Sequence, residues 1–415
     1  MKAFYLSVLL TFWSGSMALY AQNATVVRDT LPTESEGADT SDDFMLDTIS
    51  SEDLAYYGLE EKNKKIWQTS LTFSGIYDSN IFISENNPID DFIWNVSPQI
   101  TLEPWHIQKN FPHYFKITYN PSFLFFSNNP SEDTIEHAGS ASYLYKGEVI
   151  TFNAKHTSAT ESGASRDVGS RTERDIHTTQ IATNFQIDDT WSILWSNEQK
   201  LRFYENQNDQ HTWITEGFLF HKFNNQLTAG VGTKLGWTDI TASPNQNFQQ
   251  GLFKISYAPH PDWMLDLTGG AEVRSFQGAT GVDSRVTPVF SSLISYRIFP
   301  ETKLVLSGYR NVKTSSGITA NNYVGTGTRM GVEQSFMRRF HYSGAFGAEY
   351  TDYYNTSTAT PTFQRDDLFY YTSHQLNYRY NEFLSFGVEF TWMLNESNRA
   401  EFTSNRAGFS TTITY

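Results

Sequence analysis

A chain of 415 residues with a net charge of -15 and no cysteine is neither a disulfide-stapled module nor a thiolate metal site, and it lacks the basic face a nucleic-acid binder presents. Mean hydropathy is -0.46, yet 16% of residues are Phe, Trp or Tyr, an odd pairing for a water-soluble domain. Alternation reconciles the two, because a barrel wall that meets lipid outside and water inside averages its two surfaces away.

At the N-terminus, Lys2, the apolar run Phe4 to Trp13 and the small-residue sites ending at Ala18 or Ala21 read as a secretory signal peptide over residues 1–21. No later stretch approaches the roughly 18 continuous apolar residues of a spanning helix. Residues 22–65 follow with eleven acidic against four basic side chains, rich in Thr and Ser and poor in aromatics. That composition predicts a disordered acidic periplasmic arm, available to a periplasmic partner. Ser51-Glu52-Asp53-Leu54 caps one or two helical turns through Lys62, either a linker turn or a small plug helix.

Residues 66–415 read as strand, turn, strand to the end. Eighteen candidates fall between Trp67 and Tyr415, so the predicted fold is all-β: a transmembrane antiparallel up-and-down β-barrel of about 18 strands, 16 at the least. Every second connection is tight, as at Gly147, Asp188-Asp189, Asn224-Asn225 and Asn381-Glu382, with the longer Pro104 to Pro112 turn as the exception; the others, such as Glu161 to Arg174 and Asn355 to Asp366, are long and polar. This asymmetry places both termini and the tight turns in the periplasm of a Gram-negative cell.

Alternation also assigns faces. Phe92, Trp94, Val96, Pro98, Ile100 and Leu102 form one lipid stripe, and Leu384, Phe386, Val388, Phe390, Trp392 and Leu394 another. On the last strand Phe409, Ile413 and Tyr415 share the outer face, and the terminal aromatic is similar to the signal read by barrel assembly machinery. Charges fall on the opposite face: Glu198, Lys200 and Arg202; Lys234; Asp266, Glu272 and Arg274; Arg329 and Glu333; Arg379 and Glu389; Arg406. An arginine on the lipid side at mid-membrane costs roughly 2 to 4 kcal/mol, so these twelve are candidate pore-lining residues. The bland reading is that neighbours such as Arg379, Glu389 and Arg406 only neutralise one another across strands. Eighteen strands about 4.8 Å apart, tilted about 40°, enclose a backbone diameter of roughly 35 Å, too wide for side chains alone to fill. Such a lumen holds water or a folded-in plug. The segment Glu161 to Arg174 either folds inward as a constriction or stands outside as a mobile loop.

Catalytic motifs are missing: no Gly-x-Ser-x-Gly, no His-Glu-x-x-His, no phosphate loop and no acidic calcium loop. No enzyme activity, metal or cofactor is expected. The segment Gly75-Ile76-Tyr77-Asp78-Ser79-Asn80-Ile81-Phe82, followed by Asp91-Phe92-Ile93-Trp94-Asn95-Val96-Ser97-Pro98, resembles the opening hairpin of the outer-membrane β-barrel porin families of Gram-negative bacteria, beta-barrel porin 2-like. The resemblance spans some 25 residues and implies a barrel porin without implying a substrate. The expected function is diffusion of small solutes or ions through a polar lumen. The alternatives are export or uptake of a specific polymer such as a polysaccharide, and a structural or adhesive surface barrel. Expected partners are outer-membrane lipid and lipopolysaccharide, the barrel assembly machinery and small solutes, with room for a homo-oligomer and none for nucleic acid.

Overall fold

The computed structural model describes residues 66–105, 112–241, 244–277, 284–317, 322–354 and 365–415. Residues 1–65, read from sequence as a signal peptide, an acidic arm and its capped turn, lie outside them.

Strand β1 (Trp67–Asp78) pairs along its whole length with β2 (Asp91–Trp105). The third crossing is interrupted, as β3 (His113–Tyr119) and β4 (Ser122–Phe126), and the fourth likewise, as β5 (Thr134–Glu136) and β6 (Ala138–Lys146). Unbroken strands follow: β7 (Ile150–Ser165), β8 (Ser170–Gln186), β9 (Trp191–Tyr204), β10 (Gln210–Lys222), β11 (Leu227–Ile240), β12 (Gln246–His260) and β13 (Trp263–Phe276). The circuit ends with β14 (Ser284–Phe299), β15 (Thr302–Thr314), β16 (Asn322–Phe336), β17 (Phe340–Tyr354), β18 (Arg365–Arg379), β19 (Leu384–Ser397) and β20 (Phe402–Thr414). Because β20 pairs with β1, from Ser70↔Thr414 to Asp78↔Arg406, the ladder closes. Counting the two interrupted crossings once each gives the expected eighteen-stranded antiparallel barrel.

Alternation sets the two faces. Leu71, Phe73 and Tyr77 stand exposed on the outside of β1, while Thr72, Ser74 and Asp78 are buried toward the interior. Three of the tight turns get an acceptor from their own first residue. Thr190 and Trp191 donate their amides to Asp188, and Gln226 and Leu227 to Asn224; Phe383 and Leu384 do the same with Asn381, at 2.9 and 2.8 Å. A side-chain oxygen that mimics a turn carbonyl is why Asp and Asn punctuate this end.

Two features differ from the sequence expectation. The segment Glu161 to Arg174 is not a loop for most of its length: the β7–β8 ladder continues to Ser165↔Ser170, leaving only residues 166–169 as its tip. The third crossing, which the strand-turn-strand pattern reads as one strand, breaks at Asn120-Pro121, opposite Pro98 of β2. Prolines have no N–H to give a ladder. Asn120 compensates there, its side-chain amide donating to the Pro98 carbonyl at 3.0 Å.

The resembling motif now has a physical role. Asp78 accepts from Arg406 Nε at 2.7 Å, from Ser404 Oγ at 2.8 Å and from the Asn80 amide at 2.9 Å. Ser79 Oγ accepts the Asn405 amide, and Asn80 Nδ2 donates to the carbonyls of Ser84 and Thr403. Asp78-Ser79-Asn80 therefore fastens the first strand to the last where the circle closes.

Candidate constriction site

At its long-loop end the wall folds in on itself. Strand β15 pairs with β14 only from Phe299↔Thr302 up to Phe290↔Arg310, whereas its pairing with β16 continues to Thr314↔Asn322. Above Arg310 the β15–β16 hairpin leaves the wall. Val312 and Val324 carry the outer-face alternation yet are buried, and the lumen-side Arg274 of β13 donates to the Val312 carbonyl and to Thr314 Oγ1, both at 3.3 Å. The hairpin tip continues inward. Ser316 Oγ donates to Tyr204 OH at 2.6 Å, and Gln210 Nε2 donates to Ser316 Oγ at 3.2 Å, both partners lying on the inner faces of β9 and β10.

A second hairpin meets it. Its tip, Arg166-Asp167-Val168-Gly169, turns tightly through Gly169, whose φ of 78° suits a residue without Cβ and whose amide donates to the Ser165 carbonyl. Arg166 donates to Glu349 of β17 and lies over the Phe369 ring of β18, 4.3 Å from its centre. Asp167 accepts Ser315 Oγ and the Ser316 amide, each at 2.7 Å. Arg365 of β18 donates to the carbonyls of Asp167 and Arg166 at 2.7 and 2.8 Å, and its guanidinium is paired with Asp367. Together the tips make a continuous bridge from β17–β18 to β9–β10.

Buried ion pairs and hydrogen bonds hold the bridge together. Arg166, Asp167, Glu349, Arg365 and Asp367 are all buried, and such charges survive only when paired and hydrogen-bonded. Burial alone would loosen the Arg166 proton; the adjacent Glu349 carboxylate outweighs it and holds the group above its ordinary range. Glu349 also accepts from Tyr309 OH and from Thr351 Oγ1. Glycines make room for this. A Cβ on Gly327 would come 2.6 Å from the Tyr309 ring, and one on Gly347 would collide with Tyr371, so both tyrosines lie flat across β16 and β17.

All twelve predicted pore-lining residues fall on inward positions of the ladder, but they do not form one cluster. Glu272 and Arg274 pair with each other at 2.7 Å and support the β15–β16 hairpin. Arg202 donates to Gln210, beside the bridge; Glu198 accepts from Gln180; Asp266 accepts from Ser256. Lys234 stands opposite Glu216 on the neighbouring strand. Arg406 is paired with Asp78 across the closing seam. Arg379 and Glu333 sit near the tight-turn end, and Arg329 is exposed to the lumen with no ion-pair partner among the described residues. Glu349, Arg365, Asp367, Tyr204, Gln210, Ser315 and Ser316 were missed. Strand alternation alone marks Glu349 as inward, since Phe346 and Tyr350 are the exposed faces of β17; the reach of Ser315 and Ser316 across the lumen leaves no local signal. Among the described residues no group of three metal-ligating side chains comes together.

No family model and no curated protein matches the chain. Solved structures similar to it include Pseudomonas aeruginosa OccK2 (OpdF), at 10% identity over 84% of this chain and 98% of that one with a TM-score of 0.46. Pseudomonas aeruginosa OpdK with vanillate gives 11% identity, 84% and 99% coverage and 0.43, and OccK2 in complex with glucuronate gives 11%, 84%, 98% and 0.46. At TM-scores below 0.5, the closed ladder of this chain, and not these neighbours, establishes its fold.

Proposed function

We propose that this chain is an outer-membrane porin through which small polar solutes or ions diffuse. A closed barrel with apolar residues outside and a charged interior is stable only across a lipid layer, and the termini and tight turns face the periplasm by the loop asymmetry. The observation that carries the reading is the bridge. A lumen roughly 35 Å across at the backbone would pass large molecules; two hairpin tips pinned by buried ion pairs narrow it. That narrowing disfavours a wide conduit for polymers. The inward charges, Arg329 and the residues near it among them, tune which ions pass.

Single-channel conductance in planar bilayers tests the reading. The wild-type chain is expected to conduct weakly, and a variant lacking residues 166–169 to conduct several-fold more. A folded tip-deletion variant with unchanged conductance would remove the bridge from the permeation path. No conductance in either would favour the structural or adhesive alternative.

A further inference from the structure

Around most of the wall the outward residues at mid-height are large and apolar, such as Phe73, Val231, Phe346 and Val388. The outer face of β7, β8 and β9 departs from this. On β9 the outward series begins Trp191, Ile193, Trp195, all exposed, and then continues as Asn197 and Gln199, while Glu198 and Lys200 turn to the lumen. The ladder sets Gln199 beside Thr179 of β8 and Thr179 beside His156 of β7; likewise His177 lies beside Ser158. Asn197 and Gln199 stand six and eight residues from the tight-turn end of their strand. At about 3.3 Å per residue and a tilt of about 40°, that is roughly 15 to 20 Å up a band about 25 Å tall.

Part of this patch satisfies itself. His156 Nδ1 and Thr179 Oγ1 are 2.9 Å apart, Thr160 Oγ1 donates to Asp175 at 2.6 Å, and the His156 and His177 rings stack with centroids 6.3 Å apart. The Asn197 and Gln199 side chains make no hydrogen bond with any described residue. Amides left so in hydrocarbon are costly, and lipid tails offer them nothing.

From this we infer that the outer face of β7–β9 is an interface with a second copy of the same chain, related by a two-fold axis along the membrane normal. Copies inserted in the same direction keep their heights, and such an axis near β8 brings β9 of one against β7 of the other. The heights match: Asn197 and His156 each lie six residues above the tight-turn end of their strands, Gln199 and Ser158 eight. Amides would then meet imidazole and hydroxyl groups, donors opposite acceptors on both sides. Ala154 on β7 and Ala141 and Gly139 on the outer face of β6 keep that flank low enough for close approach. One self-complementary patch on one side of a barrel closes as an isologous dimer.

Because the chain has no cysteine, single thiols test this in intact membranes. Ser158→Cys should give a dimer band with a short bis-maleimide, as should Thr160→Cys, which guards against a local folding defect at position 158. Phe346→Cys, on a lipid-facing stripe far around the wall, should remain monomeric. Adding Asn197→Leu and Gln199→Leu to Ser158→Cys should abolish most of the dimer while the barrel stays heat-modifiable. Cross-linking at 158 and 160 no stronger than at 346, capture of other polypeptides instead of a second copy, or a dimer indifferent to the leucine changes would each overturn the inference. Conductance plays no part in the readout, so the interface and the porin reading stand or fall separately.

Discussion

Met337 and Arg338, in the turn between β16 and β17, have φ of 51° and 56°, a region that L residues with a Cβ enter at a cost of roughly 1 to 2 kcal/mol each. Asn and Gly are the usual occupants of such a pair. Replacing Met337→Asn together with Arg338→Gly is expected to stabilise the barrel by about 1 kcal/mol, read as a higher midpoint in urea unfolding from detergent micelles. Asp78 predicts the opposite sign. Its removal as Asp78→Ala strands the half-buried Arg406 and frees Ser404 and the Asn80 amide, and the expected cost is about 1 to 3 kcal/mol. Charge pairing at this residue also bears on ion selectivity. Arg406 is held by Asp78, whereas Arg329 is exposed to the lumen, so Arg329→Gln is expected to raise cation preference in a salt gradient, with the shift shrinking near 1 M salt, where the Debye length is about 3 Å. An unchanged reversal potential would take Arg329 off the permeation path.

At the level of elements, the two inward hairpins act as one. Asp167 meets Ser315 across the join at 2.7 Å, so a disulfide between Asp167→Cys and Ser315→Cys would lock them. Conductance indifferent to reduction of that bond is the expected outcome for a static bridge, and a jump on reduction would show that the tips separate. How much of this was legible in the sequence follows from what is local. Periodicity of two marks a strand and its faces, so the lipid stripes of β2 and β19 and the inward position of all twelve charges were readable residue by residue. Turn residues set the alternation of short and long connections. The bridge was not readable, because Ser315 and Asp167 are ordinary loop residues whose meaning comes from partners about 150 positions away. The interrupted third crossing lay between: Pro98 and Pro121 were visible, but their facing one another depends on register.

For the whole molecule, closure is the governing event. β20 completes the circle with β1, with Phe409 and Ile413 on its outer face and Tyr415 beyond its end, 5.8 Å from the Trp67 ring. Deleting residues 409–415 removes most of that ladder. Loss of heat-modifiable protein from the outer membrane is expected, and normal levels of folded barrel would mean that neither closure nor the terminal aromatics guide assembly.

The early end of the β14–β15 ladder makes the upper rim a scroll. A hoop of fully paired strands has one circumference, fixed by its strand number and stagger. Here β14 ends in six residues, 284–289, without a β15 partner, one of them Pro288, and Arg285 instead reaches Asp352 and the Tyr354 ring of β17. The perimeter at that height is therefore set by side chains, chiefly Arg274 and Arg285, and not by backbone hydrogen bonds. Lengthening it would require breaking a few polar contacts and no strand pair, so any widening of this barrel belongs at the outer rim, beside β14, while the tight-turn end keeps a constant girth.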